Sequence, residues 1–150
     1  MEQFDELQAF LHWWMAVRPL NTPEEAPTNF SGELSGVVLF RQGQYQVQLF
    51  IVQPNSIIKP HIHPNVDSYE VYLGGDIIFT RDDVEFEQTE YGDTIRVKPT
   101  NWHGGKFGER GGSFLSVQKW LNGVKPTSVG EDWQDKDRNT SGKAYKEIKD

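Results

Sequence analysis

The chain has 150 residues, a formal net charge of −7 at neutral pH and no cysteine. That length suits one domain with a core of its own. The acidic balance argues against a general nucleic-acid-binding surface, and the missing thiols exclude a disulfide framework and thiolate metal ligands. Hydrophobic residues make up only 36% of the chain, but aromatics reach 13%, so large rings must fill much of the core. No apolar run approaches membrane length, and no charged-then-apolar leader opens the chain. The expectation is a soluble, cytoplasmic protein with neither a membrane nor a nucleic acid as partner.

In chain order, residues 3–18 read as a helix. Phe4, Leu7, Leu11 and Trp14 recur at helical spacing, Phe10 and Val17 widen the stripe, and Glu2, Asp5 and Glu6 suit the first turn. Pro19 closes it. The acidic bias predicts packing on the body of the protein or on a second subunit, not on a lipid surface. Residues 19–30, with Pro19, Pro23 and Pro27, read as a linker.

From Glu33 the pattern turns to strands. Tyr45, Val47, Leu49 and Ile51 alternate with Gln46 and Gln48, which predicts the apolar set inside and the glutamines outside. Val71–Leu73, Asp76–Thr80, Val84–Thr89 and Ser113–Leu121 read as further strands, and the glycine-rich stretch Gly104–Gly112 as a mobile loop. Many short strands with regular turns predict a sandwich or barrel. The last thirty residues are polar and show no apolar period. They read as a loose tail or as an extension clamped by Trp133 and Tyr145. The boundaries are therefore 1–30 for the helix and linker, 31–123 for the β body and 124–150 for the extension, in one domain.

Three of the four histidines stand out. His61-Ile62-His63 sits where a strand is expected, and alternate side chains on a strand share a face. Two such imidazoles can grip one metal ion. If the segment stays extended, Asp67 and Tyr69 keep their parity and Glu70 falls on the other face. His103 follows forty residues after His63, behind the alternating run Asp93–Val97. His12 lies outside both stretches and reads as a packing or surface residue.

These stretches resemble the two motifs of the cupins. The first motif runs His-x-His, three or four residues, Glu, six residues, Gly. Here it is His61, His63, three residues, Asp67, six residues, Gly74, with Asn55 in place of the opening glycine. The second is matched by Gly92, five residues, Lys98-Pro99-Thr100, two residues, His103, three residues and Phe107, where the family has Asn. The resemblance implies a mainly all-β fold, a small antiparallel barrel or jelly roll, here with an N-terminal helix. It implies a divalent metal held by His61, His63, His103 and an acidic residue. Asp67 stands in the acidic position but is one methylene shorter than Glu, so it reaches an ion directly or through a water.

Such a donor set suits Fe, Ni, Zn, Mn or Cu and leaves coordination positions open. Tyr69 shares the expected face, so it is either a general base or orienting donor beside the ion, or a core tyrosine with a satisfied hydroxyl. Some metal-dependent cupin lyases carry a tyrosine two residues after the acidic ligand, and this chain is similar there. Tyr45 and Trp120 are candidate cavity-lining residues. The leading expectation is an enzyme acting on a small polar molecule by oxygen insertion, β-elimination or isomerisation. The alternative is a non-catalytic cupin serving as a ligand-binding or assembly module. Family habit implies a homodimer.

Overall fold

The computed structural model describes residues 4–21, 34–123, 127–130, 134–135 and 144–146. Helix α1 spans Glu6–Val17 and is followed by β1 (Leu34–Gln42), β2 (Tyr45–Val52), β3 (Ser56–Ile62), β4 (Val66–Arg81), β5 (Val84–Glu87), β6 (Thr94–Val97), β7 (His103–Trp120), β8 (Ser128–Gly130), β9 (Gln134–Asp135) and β10 (Ala144–Lys146). The linker expected over 19–30 falls largely outside the described residues, as does Trp133. No helix among the described residues is long and apolar enough to cross a membrane.

All pairings between these strands are antiparallel, and β4 and β7 each serve two sheets. One sheet runs β1, β2, the second half of β7, the first half of β4, then β6. The other runs β3, the first half of β7, the second half of β4, then β5, with β8 and β10 added to β3. Between the two sheets the pairing of β4 with β7 is interrupted: the register shifts at Tyr72/Gly74 and again at Gly75/Ile77, where residues 108–111 of β7 are skipped, and there the strands bend so that the two sheets face each other as a flattened barrel. The bend needs close backbone approach. At Gly75, φ is +92°, and a Cβ there would collide with the Gly111 carbonyl and Gly112 Cα. Only glycine meets both demands. The stretch Gly104–Gly112 is therefore not a loop. It is strand throughout, and its glycines serve this packing.

Helix α1 begins at Asp5, whose Oδ1 accepts from the Gln8 N–H at 2.8 Å, and ends at Arg18 in a left-handed conformation. Leu7, Leu11 and Trp14 are buried against Phe40, Val47, Tyr69, Val71, Leu115 and Val117. Phe4 and Val17, expected on the same stripe, are exposed.

The helix thus covers the outer face of the first sheet, and this inverts the expected facing of β2. Val47 and Leu49 belong to the helix-covered layer, as does Tyr45, whose ring stacks on Phe10 at 4.6 Å. Ile51 is exposed. Gln46, Gln48, Phe50 and Val52 are buried and face the other sheet. A sheet covered on both sides needs two buried faces, so the alternation of polar and apolar residues did not separate inside from outside here.

Between the sheets, Phe50, Tyr72, Ile77, Phe79, Phe107 and Phe114 form an apolar core near the bend. Phe107 and Phe114, from the two halves of β7, stack at 6.2 Å. Away from the bend the same inner faces turn polar, and the histidines lie there.

Candidate metal centre

His103 opens β7 directly opposite His61 on β3. Two residues of β3, Lys59 and Pro60, lie against the single residue Gly104, a bulge between the pairs Ile58–Gly105 and His61–His103. Proline suits the bulge because it has no ladder donor to lose. Glycine suits the partner because a Cβ on Gly104 would run into the Ile58 carbonyl. The extra residue turns His61 to the inner face, which Ile58 and Phe107 already occupy. His63 follows just after the strand.

The three imidazoles converge. One ring nitrogen from each lies within 4.8 Å of the others, and ring centroids are 4.3 Å apart for His61 and His103, 4.8 Å for His61 and His63, and 5.1 Å for His63 and His103. All three side chains are buried. Each Nδ1 sits on a backbone carbonyl: His61 on Lys59 O at 2.9 Å, His103 on Asn101 O at 3.0 Å and His63 on Thr127 O at 3.0 Å. Ser128 Oγ also lies 3.0 Å from His63 Nδ1. A carbonyl only accepts, so each Nδ1 carries the proton and the lone pair of the neutral ring is on Nε2. Burial, then the neighbouring His61 and His63 charges, holds His103 well below the ordinary histidine range. Neutral imidazoles with orientated Nε2 lone pairs are what a divalent transition ion requires.

Asp67 and Tyr69 are not in this cluster. Pro64 and Asn65 form a tight turn closed by Val66 N–H to His63 O at 3.1 Å. A two-residue turn puts its flanking residues on one face. The inner set after it is therefore Val66, Ser68, Glu70 and Tyr72, and the expected parity shifts by one residue. Asp67 faces outward, where its two oxygens take Arg96 Nε at 3.0 Å and Nη2 at 2.6 Å. The Tyr69 hydroxyl takes Arg96 Nη1 at 2.7 Å, and Asp5 at the helix start shares that nitrogen. This outward constellation joins the helix to the sheet. The longer spacing of the first motif, four residues, instead puts Ser68 in the acidic position and Gly75 at its end.

Gln46 and Gln48, expected outside, and Glu70, expected on the face away from the site, belong with Arg41, Ser68, Ser116 and Gln118 to one connected inner network. Arg41 Nε donates to Gln46 Oε1 at 2.8 Å and Gln46 Nε2 to Gln118 Oε1 at 3.1 Å. Gln118 Nε2 donates to Gln48 Oε1 at 2.8 Å and to Ser116 Oγ at 3.1 Å. Ser116 and Ser68 hydroxyls both donate to Glu70 Oε1, at 3.3 and 3.1 Å. Trp120, an expected lining residue, is buried and donates Nε1 to Gln118 Oε1 at 3.1 Å. Burial pushes the Glu70 carboxyl up to about 7, against the lowering effect of the two hydroxyls. A usable signal was in the sequence: Gln46/Gln48, Ser68/Glu70 and Ser116/Gln118 are paired polar residues at period two, each interleaved with apolar residues that an amphipathic helix could cover.

No family model matches the sequence, and no curated protein matches it. Solved structures do. KdgF from Halomonas sp. is 10% identical, with a TM-score of 0.58 over 69% of this chain and 95% of that one. An RmlC-like cupin from Shewanella frigidimarina is 17% identical, with a TM-score of 0.58 over 69% of this chain and 91% of that one. A sugar phosphate isomerase of the cupin superfamily from Silicibacter pomeroyi is 16% identical, with a TM-score of 0.57 over 75% of this chain and 82% of that one. At these identities the likeness is one of fold.

Proposed function

We propose that this chain, which has the cupin fold, holds one divalent transition metal ion on the Nε2 atoms of His61, His63 and His103 and acts there on a small polar molecule. One observation carries the reading: all three Nδ1 atoms lie on backbone carbonyls, within 2.9–3.0 Å, so the three tautomers agree. Three protein donors leave positions open to a ligand, and a bound ion supplies Lewis acidity to a carbonyl or hydroxyl oxygen. The rest is the work of the chain. Burial of the three rings limits water, and the amides of Gln46, Gln48 and Gln118 with the hydroxyls of Ser68 and Ser116 suit a hydroxylated or carbonyl-bearing ligand. Fe, Ni, Zn and Mn all accept this donor set. Oxygen insertion, β-elimination and isomerisation are the compatible reactions. A sugar phosphate isomerase shares the fold, but one fold hosts many chemistries, so the reaction class rests on the site.

A second reading has one observation in its favour. Asp67 is committed to Arg96, which leaves the described cluster without a carboxylate, as a binding module would tolerate.

Elemental mass spectrometry on untagged protein decides between them, run beside a His61→Ala/His103→Ala double variant. About one ion per chain, lost in the variant, is the expected result. A wild-type protein that stays metal-free after reconstitution overturns the metal centre and leaves the binding module.

A further inference from the structure

The interior holds an acid that three histidine ligands do not use. Glu70 is 6% exposed, its Oε1 accepts from Ser68 and Ser116, and its Oε2 is buried with no hydrogen-bond partner among the described residues. A buried carboxylate without a cation beside it is costly, and a fold with no use for it would be more stable with an apolar residue there. The network is also directional. From Arg41 through Gln46, Gln118 and Ser116, each link donates toward Glu70 Oε1. With two hydroxyl donors on Oε1, the proton of the acid form is on Oε2.

Position joins this group to the histidines. Phe107 and Phe114 stack across the barrel. One pleat from the bend, Gly105 and Ser116 follow on the inner faces, and one pleat further come His103 and Gln118. Glu70 pairs with Ser116 and Ser68 pairs with Gln118. Glu70 therefore lines the same inter-sheet space as His103 on the facing sheet. Among the described residues, the titratable and charged groups facing that space are Arg41 of β1, His61 and His63, Tyr72 and Arg81 of β4, and His103; the Tyr72 hydroxyl donates to the Gly75 carbonyl at 2.7 Å. Arg41 lies over the Trp120 ring at 4.8 Å, and Arg81 donates to the Arg96 carbonyl.

We propose that Glu70 is the proton-carrying group of the three-histidine centre, exchanging a proton through Oε2 with a hydroxyl or carbonyl oxygen of the molecule bound inside the barrel. In the forward direction the Oε2–H bond breaks, its electron pair stays on Oε2 and the proton joins the ligand oxygen. The reverse step restores the acid. The assignment rests on the reading of His61, His63 and His103 as a metal centre.

The test is a carbon-13 NMR titration of the glutamate carboxyls in the full chain, with and without Zn²⁺. Glu70→Gln assigns the signal. In the metal-free protein the Glu70 signal is expected to titrate near 7. One bound Zn²⁺ per chain should then weaken proton binding there by about tenfold or more, because a nearby cation favours the carboxylate. A metal-free midpoint in the ordinary carboxylate range overturns the proposal. So does a midpoint unmoved by stoichiometric Zn²⁺, and in that case the metal centre stands. Failure to bind Zn²⁺ overturns the centre, and the role of Glu70 at it.

Discussion

The Tyr69 hydroxyl lies 2.7 Å from Arg96 Nη1, on the face of β4 opposite to Ser68 and Glu70. The Arg96 guanidinium also stands over the Tyr69 ring, 4.6 Å from its centroid. Tyrosine, arginine, Asp67 and Asp5 thus form one clamp between helix and sheet, outside the barrel. Tyr69→Phe should cost about 1.5–3 kcal/mol of stability, the usual net worth of one hydrogen bond to a charged group. Metal content should not change. Urea denaturation and elemental analysis of the same sample check both. Loss of metal at unchanged stability would return Tyr69 to the site.

The helix is expected to matter as core. Leu11 is 6% exposed and packs in the layer of Val47, Val71, Leu115 and Val117. Leu11→Ala should cost about 2–5 kcal/mol, as buried Leu truncations do. The measurement is the urea midpoint at constant slope. A cost below about 1 kcal/mol would mean that the helix rests on the sheet without being packed into it.

Glu70 gives stability a pH dependence of known sign. Its folded value, about 7, is above its ordinary 4.5, so between these the native state binds more protons than the unfolded chain. The Glu70 contribution is therefore fully present below 4.5 and is lost as pH rises through 7. A gap of this size corresponds to about 3 kcal/mol. His103 acts in the opposite sense: its value is lowered, so the unfolded chain takes up protons first and stability falls as pH drops below the ordinary histidine value of 6.5. Comparing wild type with Glu70→Gln cancels the histidine contribution. The variant should gain about 3 kcal/mol on wild type between pH 4.5 and pH 8, read by urea denaturation at each pH. Parallel curves would mean that Glu70 is not buried as an acid.

The histidine cluster was legible because the evidence for it is local. His61 and His63 share a face by strand alternation, and His103 enters through a second motif. Their convergence needed only that β3 and β7 pair. The helix stripe was legible for the same reason, since Leu7, Leu11 and Trp14 recur at a single period. Asp67 and Tyr69 were misplaced by one assumption, an extended chain from His61 to Tyr69. Pro64 and Asn65 break it, and a turn of two residues exchanges the faces of everything after it.

The sequence alone marked the helix, most of the strands and the three histidines, because those depend on periods and motif spacings within short stretches; the glycine-rich start of β7, read as a loop, and the meeting of His103 with His61 depended on the pairing of β3, β4 and β7. Tertiary structure alone decided which face of each strand is inside. Strand alternation defines two faces but does not name them. The choice fell when α1 covered Tyr45, Val47 and Leu49 from outside and left Gln46, Gln48, Ser116, Gln118 and Glu70 to line the interior. Burying that polar row is tolerable because its members hydrogen-bond one another across three strands, a condition set by register that no single strand contains.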